Sequence, residues 1–436
     1  MSNGYLPVKT SSIEMMMPDS WERVPVPDDR MVVIAEKGQR DGRFRANMVV
    51  VVRQSTETMA ELGARSVAEA LAFPGWSHVY STLPWMGTGS REGVDGRVVD
   101  FLYEASGTYV AVTRSGYVTG THAVEITASC DIVERLLFEE FLNSIASSVL
   151  VRASDSEVVQ LSAGPQTGVP DIALDAEVMA RGGDKKPSEL LTRIPSLQPF
   201  PVSGMRMSRA AWEQLWTCRR RGLFSNIRKD SEAFQELVTR GLIDAYGRVT
   251  HDGAELVRVR AEAKLLYGAT ADTGGRGTAF SAWYFGLDVL VAADVVGADG
   301  TPEVSVHRTT ASGALALLVS WMRIAPAWVL AREDGGEHDA ELLTRRIDAA
   351  RGHEPALPDD ASWALTRAWD AGEWTRYVVA CPTNDTAHGY IRTGDVGWFS
   401  PEPLPGDRVR LRNVVSVDVM RDVVELFLDG VRSTRR

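Results

Sequence analysis

Between residues 153 and 205 the chain loses its hydrophobic periodicity, and that break constrains everything on either side of it. "SAGPQTGVPD", "RGGDKKPSE" and "IPSLQPFPVSG" are rich in Pro, Gly and Ser, the composition of a linker, with one short helical piece expected at 187–193. Patterned sequence flanks it, so the chain divides into residues 15–152, a linker at 153–205 and residues 206–432. At 436 residues there is length enough for each flank to bury its own core, and the long linker implies two independently folded halves.

In the first half, "ANMVVVVR" (46–53) is a continuous β-rich run, as in a strand covered on both faces. Thr56 opens a helical pattern through Met59, Leu62, Val67, Ala70 and Leu71, which Pro74 and Gly75 end. "GRVVDFLYEASG", "TYVAVTRSG" and "THAVEITASC" read as an antiparallel meander. Asp131 and Glu134 form a variant capping box before a core helix through Val133, Leu137, Phe141 and Ile145. The expected unit is α+β, a meander with helices on one face.

In the second half Ser208 caps a helix through Ala211, Trp212, Leu215 and Trp216. A second helix carries Phe234, Leu237 and Val238 and stops at Gly241, and Thr250 caps a third that runs to Leu266. Strands follow near 278–286, 288–297 and 303–309, with an apolar helix at 312–322. A charged helical stretch comes next, then strands near 373–380, 387–393 and 395–400 and a helix at 416–429. Strands then helix, twice, is the pattern of a duplicated α/β unit. The apolar run 313–331 is interrupted by Arg323 and Pro326 and is too short before Arg323 to span a bilayer.

The sequence offers little for catalysis. There is no G-x-S-x-G elbow, Walker loop or H-E-x-x-H. "GTGSREG" (87–93) follows Trp85 rather than a strand and reads as a loop, and "EHDAE" (337–341) sits in a solvated charge run without metal-ligand spacing. His122 lies in phase with Val124 and Ile126, as a half-buried histidine does. Cys130, Cys218 and Cys381 are too far apart in sequence to read as a zinc pattern or disulfide framework, which points to a reducing compartment; the first residues lack the apolar run of a secretory leader. A net charge of −11 opposes nucleic-acid binding overall. One stretch still reads like the end of a recognition helix and the start of a wing: "GLIDAYGRVTHDGAEL" (241–256). Arg219, Arg220, Arg221, Arg228 and Lys229 favour a DNA-binding regulator built on 206–268. Against it, Glu232 and Glu236 lie on the candidate helix's outer face, where they repel phosphates. A small-molecule-binding or hydrolytic first half is a further alternative, because catalytic groups assemble from distant residues.

The second half resembles the EspG-like family associated with ESX (type VII) secretion in actinobacteria. The matching features are "MSRAAWEQLW", "LVTRGLIDAYGRVTHDGAELVRV", "DVLVAADV", "VSVHRTTASGALALLVSWMRIAPAW" and "NDTAHGYIRTGDVGWFSPEP", the last through Asp385, Thr386, Gly389, Tyr390 and Trp398. Residues 401–412 interrupt the usual step into the final helix, and His388 precedes Gly389 where the family's arginine would follow it. The resemblance implies a quasi-two-fold α/β domain with a helical bundle, acting as a cytoplasmic, non-catalytic chaperone without a cofactor. It implies a partner that is a secreted effector or helical hairpin, held by its apolar tip. Carried onto this chain, the bundle elements are 337–351 and 360–370, and the partner-binding positions are Leu342, Leu343, Ile347, Trp363, Leu365 and Trp369. The first half is similar to the LpqN-like and PsbP/DcrB-like α/β sandwich, through "MPDSWERVPVPDD" and "FRANMVVVV", with no lipobox before it. That sandwich also serves as an effector chaperone in type VI secretion, so both halves imply one role, escorting secretion substrates.

Overall fold

The computed structural model describes residues 4–38, 43–88, 92–118, 121–154, 157–160, 194–219, 229–297, 299–327, 334–350, 352–394 and 396–433. The expected helical piece at 187–193 lies outside them. The chain is α+β and sheet-rich. In the first half β1 (Tyr5–Lys9) and β2 (Ile13–Pro18) lead into β3 (Trp21–Val24), β4 (Met31–Glu36) and β5 (Asn47–Gln54). Helix α1 (Met59–Leu71) precedes the meander β6 (Ser77–Thr88), β7 (Glu92–Ala105), β8 (Thr108–Val118) and β9 (His122–Asp131). A 3-10 turn at Ile132–Glu134 opens α2 (Arg135–Ser147), followed by β10 (Leu150–Ser154), β11 (Glu157–Gln160) and the short α3 (Ile194–Leu197). Seven strands pair in the order β3-β4-β5-β9-β8-β7-β6, and four more as β1-β2-β10-β11.

Three expectations change here. β5 is half-buried rather than covered on both faces: Met48, Val50 and Val52 are buried while their neighbours are not, because the strand alternates on a one-sided core. α1 starts at Thr58, not Thr56, because Thr58 and Glu61 form the capping box. Helices also lie on both faces of the sheet. Adjacent residues on β7 show it: Phe101 belongs to one cluster with Val67 and Ala70 of α1, while Leu102 belongs to the other, which holds Leu142 and Ile145 of α2. The sequence pattern also missed β6, which contains Pro84. It is the edge strand of its sheet, where a missing N–H is tolerated. "GTGSREG" spans the end of β6 and the start of β7, with residues 89–91 outside the described set.

The second half contains β12 (Met205–Ser208), α4 (Arg209–Arg219), α5 (Glu232–Thr239), α6 (His251–Glu262), β13 (Leu265–Thr273), β14 (Arg276–Phe285), β15 (Asp288–Val296), β16 (Pro302–Thr309) and α7 (Ala311–Trp321). It continues with β17 (Asp334–Asp339), α8 (Ala340–Asp348), α9 (Trp363–Trp369), β18 (Trp374–Cys381), β19 (Thr386–Thr393), β20 (Gly397–Leu404), β21 (Arg408–Val414) and α10 (Ser416–Ser433). Its ten strands pair in the order β12-β16-β15-β14-β13-β18-β19-β20-β21-β17. Each arm repeats one plan: an edge strand, helices, a four-stranded meander, then a closing helix. The arms meet at the antiparallel pair β13–β18. The 241–256 stretch is built as its residues suggest: Gly241 takes a positive φ, Ile243 bridges Val249, and the Thr250 side chain accepts from Gly253 N.

The halves are not independent. α7 is buried at every position from Ser312 to Ser320, as a helix that is apolar all round must be. One face of α7 packs on β14, β15 and β16, and another on β8 of the first half. α10 bridges in the same way, from β13 and β18 to β6 and α2. A single core cluster therefore runs through both halves. Gly313 of α7 is hemmed in from both halves, since a Cβ there would clash first with the Thr309 side chain just before the helix and would also sit 2.9 Å from the Tyr109 ring of the first half. The ends of the expected linker belong to the fold as well. Ile194 is buried beside Val79, and the Gln198 side-chain amide bonds both the N–H and the C=O of Val79, closing part of the free edge of β6.

His78 also crosses between the halves. Its Nε2 donates to the Ile324 carbonyl at 2.7 Å, and its Nδ1 has no partner among the described residues. Burial pushes its pKa down to about 4. Burial likewise takes His307 to about 4, with Arg206 adding to the effect. Between those values and the ordinary 6.5 the unfolded chain binds more protons than the native one. Stability is therefore expected to fall as pH drops from about 6.5 toward 4, by about 1.4 kcal/mol per pH unit for each histidine. Urea midpoints at pH 7 and pH 5 measure this. His78→Gln keeps the donor to Ile324 without titrating and should remove about half of the slope; an unchanged slope contradicts the assignment.

Candidate functional site

The inner face of the ten-stranded sheet is covered by α7 and α10, but its outer face is covered only in part. α4, α5 and α6 build one helical lobe over β12 and β14–β16, with Trp212, Leu215, Phe234, Leu237 and Leu290 in its core. α8 and α9 build a second lobe over β18–β21. Between the lobes, beyond the end that α8 reaches, no described element covers the central strands. On β13 and β18 the inward residues Tyr267, Ala269, Tyr377 and Val379 are buried, while Leu266 and Val378 on the outer face are 36% and 38% exposed. Register sets their neighbours. Ser281, Gly268, Ala380 and Ala387 run across β14, β13, β18 and β19 in one row, and Ala279, Thr270, Val378 and Gly389 in the next. The result is a flat shelf of small side chains, four strands wide. At Gly268 the small residue is required by the sheet itself, since a Cβ there would lie 2.7 Å from the Phe280 carbonyl oxygen.

The shelf has two unlike ends. At one, α8 closes over the strands: Gly274 N–H donates to Ile347 O at 3.3 Å, and Arg376 pairs with Asp272 at 2.9 Å. At the other, Trp283 is the cross-strand partner of Leu266 and carries the Arg260 guanidinium over its ring at 4.8 Å.

The six partner-binding positions expected from the resemblance lie elsewhere. Leu343, Ile347, Leu365 and Trp369 are buried in the second lobe's core with Trp374, Ile391, Phe399 and Leu411, and Leu342 packs against that core. Trp363 opens α9, and its side chain lies outside the described residues. The other five attach the lobe to the sheet. Arg346 fixes it further: its guanidinium is buried against the Trp374 ring at 4.8 Å and donates to the carbonyls of Trp369 and Gly372.

The other candidates are held in structural roles. In "EHDAE", Glu337 pairs with Arg408 and Arg410, His338 is buried with Nε2 on Gly335 O, and Asp339 caps α8. Among the described residues no group of three His, Cys, Asp or Glu is placed to hold a metal. Of the basic run, Arg220, Arg221 and Arg228 lie outside the described residues, as does the Arg219 side chain. On α5, Glu236 accepts the Ser208 N–H and pairs with Arg240, and the strands that follow α6 are central sheet members.

A second cluster of ionisable groups is sealed between the halves. Arg135 pairs with Asp100 at 3.3 Å, both fully buried, and Thr113 Oγ1 donates to Asp100 at 2.7 Å. Burial holds the Asp100 carboxyl above its ordinary range even with Arg135 beside it. Burial opposes the Arg135 charge too, but Tyr80, Asp100 and Glu139 outweigh it and keep its pKa above the ordinary value. Arg421 of α10 reaches across to Glu139 of α2 with two hydrogen bonds, the shorter 2.6 Å, and also pairs with Asp418. Ser312 Oγ donates to Asp131 at 2.7 Å beside them. Every anion in this seam faces a donor, and its chemistry is that of an interface.

No family model matches the chain, and no curated protein matches its sequence. Among solved structures the chain is similar to PsbP (CyanoP) of the cyanobacterium Synechocystis sp. PCC 6803, at 14% identity over 35% of this chain and 94% of that one, with a TM-score of 0.27. It is similar to LpqN of Mycobacterium tuberculosis, described as involved in cell envelope biogenesis, at 16% identity over 35% of this chain and 92% of that one, with a TM-score of 0.25. A structure from Bacteroides thetaiotaomicron covers 64% of this chain and 87% of its own, at 14% identity and a TM-score of 0.23. PsbP and LpqN, the two kinds of protein that the first half resembles in sequence, are thus among the structural neighbours, each over about a third of the chain.

Proposed function

We propose that the chain is a non-enzymatic adaptor or chaperone of the cytoplasm, which seats an apolar helical segment of a secreted partner on the bare shelf of the ten-stranded sheet. The EspG-like resemblance of the second half supplies the class of partner, a helical hairpin or effector of a type VII-like secretion system. One observation carries the reading: the two central strands of a large sheet expose Leu266 and Val378 while their other faces are fully buried. Sheets of this kind are stable when a second layer covers each face, and here that layer is helical on both sides of the gap. A helix is the element that completes it. The small residues of the shelf let its backbone approach, and Leu266 and Val378 offer contacts for residues spaced three and four apart on its apolar stripe. The binding positions move accordingly, from the cores of the lobes to the floor between them.

The test is site-specific photocrosslinking with benzoylphenylalanine at Thr270, an exposed shelf position, and at Val296, 71% exposed at the end of β15. In the native host Thr270 should capture one partner at residues of helical spacing, and Val296 should not. No captured protein at Thr270, or the same set from both positions, contradicts the proposal.

A further inference from the structure

Arg260 bears on what the docked helix must carry. It lies in the last turn of α6, half-buried, with its guanidinium 4.0 Å from the centre of the Trp216 ring, 4.8 Å from that of Trp283 and 5.9 Å from that of Trp212. Stacking uses the flat face of a guanidinium and leaves the in-plane N–H groups free to donate. Other arginines of this lobe and its neighbour have those donors occupied. Arg258, on the same helix, pairs with Glu255 at 3.0 Å, with Asp288 at 3.6 Å and with Glu262 at 3.8 Å. Arg346 also stacks on a tryptophan, and its donors meet two backbone carbonyls. Arg260 has neither a carboxylate nor a carbonyl among the described residues. Burial alone moves its pKa below the ordinary arginine value, with no anion to offset the lost hydration. Packing of the tryptophan cluster accounts for the stack and leaves the half-buried guanidinium's in-plane donors without a protein acceptor among the described residues.

The place of the group gives it a use. It stands over Trp283, whose cross-strand partner Leu266 is the exposed end of the shelf. We propose that Arg260 is a binding anchor for a carboxylate, an Asp or Glu side chain on the helix that docks on the shelf; this identity of the ligand's source rests on the helical reading above. A carboxylate is planar and meets the guanidinium edge through two parallel hydrogen bonds, and the tryptophan faces hold that edge in a fixed orientation. Affinity then depends on an acidic residue near one end of the partner's apolar stripe, which makes Arg260 a specificity determinant as well as a contact.

Acetate is the probe, followed by the Nε–Hε resonance of Arg260 in the wild-type protein and by tryptophan fluorescence. A saturable shift is expected with acetate and none with chloride at equal ionic strength. Arg260→Lys, which keeps the charge but not the fork, should bind acetate about tenfold more weakly, and Arg260→Gln should not respond. Equal, unsaturating shifts with acetate and chloride overturn the proposal, as does a saturable response that survives in Arg260→Gln. A response to inorganic phosphate without one to acetate overturns the choice of carboxylate. The two readings fail separately. Loss of the Thr270 crosslink with acetate binding intact removes the helix and leaves the carboxylate site. Loss of acetate binding with the crosslink intact removes the anchor alone.

Discussion

Replacing Arg135 by methionine is expected to destabilise the chain by about 3–5 kcal/mol at neutral pH. Arg135 and Asp100 are buried together, and truncating the cation leaves the buried Asp100 carboxylate with Thr113 as its remaining partner among the described residues. The carboxyl is already held above its ordinary range by burial with Arg135 present, and it must rise further without it. The sign of the pH dependence then identifies the cause. An Asp whose native pKa lies above its unfolded one is destabilising once both states ionise, and that penalty shrinks as the native group takes up a proton. The deficit of Arg135→Met relative to wild type should therefore narrow as pH falls from 7 to 5. Asp100→Leu combined with Arg135→Met should recover most of the loss, because a well-packed apolar pair removes both desolvation costs. Urea melts of the three proteins check this, and a double variant as weak as the single one shows that Arg135 acts through its packing on Tyr80 instead.

Separating the halves should have a still larger effect. Residues 1–205 and 206–436 produced alone are each expected to lack a cooperative melt and a native near-UV spectrum, and to regain both on mixing. The first half without its partner loses the cover that α7 gives to β8 and that α10 gives to β6 and α2. The second exposes one side of α7. Leu315, Leu317, Leu318 and Val319 on that helix are each worth about 1.5–3 kcal/mol when fully buried. Even part of that sum matches the net stability of about 5–15 kcal/mol typical of a domain. A cooperative transition in residues 1–205 alone, at the temperature of the full chain, would show that the shared core is dispensable.

Local grammar was legible in the sequence wherever the pattern was one-sided. The caps at Ser208 and Thr250, the stop at Gly241 and the apolar α7 lie where their residues place them. So does the twofold recurrence of strands and closing helix. The independence of the halves was the largest error, and its cause is physical. A helix buried on all sides reads the same whether one domain or two surround it, and nothing in α7 names the sheet on its far face. β13 was missed, its first two residues being read as the end of α6 and the rest left unassigned, because its outward residues Leu266, Gly268 and Thr270 do not contrast with the inward Tyr267, Ala269 and Ala271 in polarity. That lack of contrast is the shelf itself: the site escaped notice for the reason that makes it a surface. β17 and β21 escaped because charged residues fill their outward positions near the sheet edge, as in Glu337, Arg408, Arg410 and Arg412. The lobes' apolar residues were found, but a periodic stripe does not distinguish a helix that grips a partner from one that grips its own sheet.

The meeting of two like arms at β13–β18 has a consequence for any guest. A segment laid across that junction meets strands of the same pairing after half a turn, so on the proposed reading the backbone of the floor does little to tell its head from its tail. The flanks can. Asp272 and Arg376 cancel one another at one margin, while Arg260 leaves positive charge unbalanced at the other. A helix is itself negative at its carboxyl end. On the proposed reading, orientation is decided at the margins of the seat, where a single arginine gives it a sense of direction.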